Sequence, residues 1–89
     1  MKDKEMERIL KALANGRRLA IVRFLKKKGE QTVGDIAEHI RLSFKATSKH
    51  LAVLYAANIV EREQRSLQMF YSLSPELHPI AKYISNSLE

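Results

Sequence analysis

The chain has 89 residues, of which 45% are hydrophobic and 29% charged, enough for one small core and too apolar for a disordered segment. It contains no cysteine, which excludes a disulfide framework, a thiolate zinc site and a cysteine nucleophile together. The formal net charge is +6, so a polyanionic partner is the first class to consider.

The opening run "MKDKEMERIL" is charged and amphipathic, unlike a signal peptide, and no apolar run approaches the roughly 20 residues needed to span a bilayer. One cytoplasmic domain over residues 1–89, with no membrane partner, is therefore expected. Met6, Ile9, Leu10, Leu13 and Ala14 follow the i, i+3, i+4, i+7, i+8 spacing of one helix face and predict a helix over 3–14. Asn15–Gly16 breaks that pattern and starts a second helix. Residues 17–27 are apolar over a wide arc, as a central buried helix requires. Lys26–Lys27–Lys28 and Gly29 then give it a basic last turn and a stop.

Thr32 followed by Asp35 reads as a capping box, and Val33, Ile36, Ala37 and Ile40 form the inner face of the short helix it opens. Arg41–Leu42 is a brief turn. Ser43 is an N-cap for a helix running to about Ala57, with Asn58 as a left-handed C-cap. The period then falls to two. "IVEREQ" and "QMFYSL" predict two strands joined across Arg65–Ser66–Leu67, and Pro75 ends the second. Residues 77–88 return to helical spacing through Leu77, Ile80, Ala81, Ile84 and Leu88. The fold class is mainly α with a small β-hairpin, in the order α-α-α-α-β-β-α. Two short helices across a tight turn (33–57), followed by a hairpin wing (59–73), read as a winged helix-turn-helix.

The charge has a location. Residues 17–50 carry nine basic side chains against three acidic, a net of +6, while the segments before and after hold +1 and −1. In the helix after Ser43, Thr47, Leu51, Leu54 and Asn58 share one line, with His50 and Tyr55 beside it. Lys45, Lys49, Ala52 and Ala56 fall opposite, with Ser48 on the flank. No acidic residue occurs between Glu38 and Glu61. A helix exposed only for solubility would mix signs there. Small residues and N-terminal lysines instead suit entry into a groove roughly 12 Å wide.

"LANGRRLAIVRFL", "TVGDIAEHIRLSFKATSKHLAVLYAANIV" and "MFYSLSPE" resemble successive segments of the ArsR family of winged-helix repressors, from about residue 10 to residue 76. The most specific parts are Ser-x-x-x-x-Ser-x-His-Leu at 43–51 and the exit from the wing. The resemblance implies a sequence-specific transcriptional regulator, a repressor by expectation. By the same resemblance it is expected to bind double-stranded DNA at a palindromic operator as a homodimer held by the first and last helices. Carried over by position, DNA binding falls to Phe44, Lys45, Ser48, Lys49 and His50, with Arg62, Gln64 and Arg65 on the wing. The dimer interface falls to Met6, Ile9, Leu10, Leu77, Ile80, Ala81, Ile84 and Leu88.

The chain departs from that pattern at Phe44 and in the wing, and the role of the matching His50 is open. Phe44 stands where the family has glutamine; it either touches a thymine methyl or wedges between the two helices. His50 lies toward the core side and is equally a packing residue or a contact. Ser66 replaces a wing glycine, and Glu61 and Glu63 stand where basic residues are common. The cysteines of the family's usual metal helix are absent. Of its second metal site only Glu76-x-His78 is present, with Glu89 as a lone later candidate, so neither metal nor other cofactor is expected. Catalysis is not expected either, since the chain has no Gly-rich phosphate loop and no convincing carboxylate pair. The competing reading is a winged helix that binds protein and not DNA.

Overall fold

The computed structural model describes residues 2–88. Five helices and three strands follow in the order α1 (Lys2–Leu13), α2 (Gly16–Lys28), β1 (Gln31–Thr32), α3 (Val33–Ile40), α4 (Phe44–Ala56), β2 (Val60–Arg65), β3 (Gln68–Leu73) and α5 (Pro79–Ser87). The starts of α2, α3 and α4 each have a side-chain cause. Asn15, Thr32 and Ser43 accept from the backbone N–H of Arg18, Asp35 and Ala46, so three orphan donors are satisfied by oxygens written into the sequence. Only the forward half of the capping box forms, because Asp35 does not return a bond to Thr32.

Ile21, Ile36, Leu51, Leu54, Ile59 and Val22 are the largest fully buried apolar side chains, and they join α2, the helix-turn-helix and the root of the wing. α1 and α5 pack on each other and close the other side of this core. Thr47 is also fully buried, and its hydroxyl finds no partner among the described residues. An orphaned buried hydroxyl costs about 1–3 kcal/mol of desolvation. Thr47→Val is therefore expected to stabilise the fold by about 1 kcal/mol, raising a circular-dichroism melting temperature by about 4–8 °C. A lower melting temperature would show that this oxygen has a partner in solution.

Two expectations are corrected. The sheet has three strands, not two, in the order β1-β3-β2, all antiparallel, with Gln31 opposite Tyr71 and Thr32 opposite Phe70. Two residues are too short to display a period, so β1 is invisible in the sequence. The last helix begins at Pro79 and not at residue 77: the proline occupies the first turn, His78 caps it, and Leu77 packs from the preceding loop. The hairpin register runs from Val60↔Leu73 to Arg65↔Gln68. It closes over Ser66 and Leu67, with Ser66 at φ 58° and so at the first position of a II′-type turn.

Candidate nucleic-acid interface

α4 is amphipathic in the sense that its sequence predicts. Thr47, Leu51 and Leu54 are buried, Ser48 is half-buried, and Lys45, Lys49, Ala52 and Ala56 are exposed. Neither lysine is paired with a carboxylate among the described residues. Both ammonium groups are thus free on a narrow helix face whose first turn holds no acidic residue. Their charge adds to the positive end of the helix dipole. Tyr55, placed beside the core by helical spacing, is exposed instead. Phe44 does not wedge between the helices. As the first residue of α4 it stands 63% exposed, beside a cleft formed with Val33 and Gly34 of α3 and Leu67 and Met69 of the wing.

The turn that aims α4 is held by α2. Arg41 caps α3 in the left-handed conformation (φ 58°), and the Leu42 N–H reaches the Ala37 carbonyl in a Schellman closure without glycine. Arg17 stabilises this turn from outside, donating from Nη1 to the carbonyls of Ile40 (2.8 Å) and Arg41 (3.2 Å). Arg18, next in the chain, donates to the carbonyls of Ala12 and Lys11 at the end of α1 and to Nδ1 of His50 on α4 (3.2 Å). Lys26 donates to the Ser85 carbonyl near the end of α5 (3.0 Å). Three of the nine cations in the basic middle segment are therefore structural ties. Carbonyls do not neutralise them, so their field persists near α4. Burial, and then the guanidiniums of Arg18 and Arg17, hold the His50 imidazole below its ordinary pKa.

The wing departs further from its sequence reading. Arg65 does not project free at the tip. It is paired with Glu30 and lies 3.7 Å from Glu63, with its guanidinium 4.1 Å from the Phe70 ring centroid. Arg62 lies over the Tyr55 ring at 4.0 Å, a cation–π contact between the wing and α4. Gln64 is exposed, and the tip itself presents Leu67, 95% exposed.

Among the residues expected at a dimer interface, Ile9 and Ala81 are buried within their own chain and present no surface to a partner. Leu77, Ile80, Ile84 and Leu88 are half-buried and packed against the same core. Met6 and Leu10 are exposed, one helical turn apart on the outer side of α1, and Tyr83 on α5 is exposed without having been singled out by its spacing. The α1 stripe is thus split into an inner line through Ile9 and Leu13 and an outer line through Met6, Leu10 and Ala14. α1 also brings Lys4, Glu7, Arg8 and Lys11 beside Arg18, Val53 and Ala56, a mostly basic flank next to α4, with Glu7 paired to Lys11 (3.3 Å), that no sequence motif marked. His78 turns its Nδ1 to the Ile80 N–H (3.1 Å) as a helix cap, and Glu89 lies outside the described residues. No helix among the described residues is long and apolar enough to cross a membrane.

A tight-turned helix pair with a free cationic outer face, flanked by a hairpin, defines a winged helix-turn-helix DNA-binding protein. The comparisons narrow this further. The model for bacterial regulatory proteins of the arsR family matches residues 15–62. The transcriptional repressor SdpR of Bacillus subtilis is 35% identical over 69 residues, 78% of this chain and 76% of that protein. The transcriptional activator HlyU of Vibrio cholerae is 39% identical over 66 residues, 74% of this chain and 60% of that protein. A solved HlyU structure from Vibrio cholerae superposes with a TM-score of 0.83 at 31% identity, covering 97% of this chain and 89% of the other. A homodimeric winged helix-turn-helix DNA-binding domain from Mycobacterium bovis does so at 0.83 and 30%, covering 94% and 75%. The chain belongs to the ArsR family and is a DNA-binding transcriptional regulator, not an enzyme.

Proposed function

We propose that this regulator acts as a homodimer that reads a two-fold symmetric duplex, one α4 entering each of two successive major grooves. The observation that carries the reading is the pair of free lysines, Lys45 and Lys49, on a helix face otherwise built of small residues. Lysine at these positions suits phosphate or a guanine edge, and Ser48 on the flank can donate to phosphate. Phe44, exposed at the helix start, is placed to touch a thymine methyl. Wing contacts are secondary: Gln64 is available, whereas Arg62 and Arg65 must leave aromatic and acidic neighbours to reach a strand. Met6 and Leu10 supply the apolar line for pairing two copies, with α5 alongside. The repressor SdpR among the relatives supports repression by occupancy of the operator.

Selecting bound duplexes from a randomised pool tests this. The expected product is an inverted repeat with half-sites about 10 bp apart or a multiple of that, bound with a log–log salt slope near −0.9 per phosphate neutralised. A pool that yields no duplex, with a salt-insensitive protein partner recovered instead, would favour the protein-binding alternative.

A further inference from the structure

We propose that Arg18 is a positioning residue that sets the seating of α4 by carrying His50, so that His50 serves DNA binding through this link and not as a contact to base or phosphate. The inference rests on the DNA-binding reading above. Arg18 lies in the first turn of α2 and uses all three kinds of guanidinium nitrogen. Nε donates to Ala12, Nη2 to Lys11 (3.2 Å) and Nη1 to His50 Nδ1 (3.2 Å). The first two partners are carbonyls at the C-terminal end of α1, where the last turn leaves acceptors unsatisfied and favours a cation. One rigid, planar fork therefore fixes α1, α2 and α4 relative to one another.

α4 needs such a fixture. Its inward contacts are apolar through Leu51 and Leu54, and the only buried hydroxyl on that side, Thr47, bonds to nothing among the described residues. Apolar burial is non-directional, whereas a hydrogen-bonded guanidinium fork fixes a direction as well as a distance. A rotation of about 20° would sweep groups on the surface of a helix about 10–12 Å across by roughly 2 Å, beyond what base-edge hydrogen bonds tolerate. The His50 bond to Arg18 ties α4 to α1 and α2, on the side away from the wing, where the Arg62 guanidinium over the Tyr55 ring is the other polar tie. It also defines the imidazole. Arginine has only donors, so Nδ1 must accept, and the ring proton sits on Nε2.

Protonation at Nδ1 would set a donor against a donor. The cations that face the ring are Arg18 and Arg17 from α2, Lys49 is its neighbour on α4, and no carboxylate is paired with any of them. Acidification therefore breaks the link. A histidine that touched phosphate would behave in the opposite way, since an imidazolium binds an anion better.

The experiment compares wild type with R18Q, H50L, H50N and R18Q/H50L, titrated with a duplex recovered by the selection above, below the thermal transition of each variant. Asparagine keeps an acceptor near the position of Nδ1 and removes Nε2. R18Q and H50L are each expected to lose about tenfold in affinity, as groups coupled in one network do, and the double variant no more than the weaker single one. H50N is expected to stay within about threefold of wild type. From about pH 7.5 to about 5.5 wild type is expected to weaken and H50N to hold, with His39 and His78 common to both. The proposal falls if H50N is as weak as H50L, if R18Q binds like wild type, if the two losses add, or if wild type tightens on acidification. Failure of the underlying reading looks different: K45A/K49A would then bind duplex as wild type does.

Discussion

Replacing Lys45 and Lys49 together with alanine is expected to leave the melting temperature nearly unchanged while greatly reducing duplex affinity. Both side chains are exposed and unpaired, so no folded-state contact is lost, and alanine is the strongest helix former. If each lysine neutralises one phosphate, a dimer loses four. The log–log salt slope then becomes shallower by about 3.6, and affinity near 0.1 M salt falls on the order of 10³-fold. Fluorescence anisotropy at four or five salt concentrations measures both quantities. An unchanged slope would mean that the outer face of α4 is not where the phosphates lie.

The second large effect concerns assembly. Met6→Glu together with Leu10→Glu is expected to give a folded monomer, because both side chains point away from the core that Ile9 and Leu13 enter. The variant should then lose on the order of 10²–10⁴ in affinity for a two-site operator, since the second half-site is no longer delivered at high effective concentration. Sedimentation velocity reads the mass and anisotropy reads the affinity. A variant that sediments as a dimer would remove α1 from the interface. The same charges at Ile80 and Ile84 would be less informative. Those residues pack against their own core, so charge there threatens the fold before it reports on association.

These two predictions mark how far the sequence could be read. The helices were legible because their causes are local. Period, cap and stop lie within a few residues of one another, as at Asn15, Thr32 and Ser43. The outer face of α4 was legible for the same reason, since 100° per residue already separates Lys45 and Lys49 from Leu51 and Leu54. What escaped depends on contacts between distant residues. Arg65 finds Glu30, Arg17 finds the turn at Ile40 and Arg41, and Arg18 finds His50, pairs separated by 35, 24 or fewer, and 32 positions. The α1 stripe was legible as apolar but not as two lines, because a single helix face broad enough for both the core and a partner gives one periodic signal. Tyr55 was misplaced because it lies at the margin of the apolar arc, where the Arg62 guanidinium from the wing offers it a surface position.

The strand Gln31–Thr32 is only two residues long, yet it joins the middle of the hairpin, at Phe70 and Tyr71, to the residue that caps α3. A free two-stranded ribbon would sway about its root and would have to be immobilised when DNA arrives. Here one edge of the ribbon is stitched to the start of the helix-turn-helix, and Arg65 clamps the other end to Glu30, just ahead of that stitch. α4 and the hairpin backbone thus stand as a single preformed jaw, so that only the arginine side chains of the wing, and not its strands, would have to rearrange against a duplex.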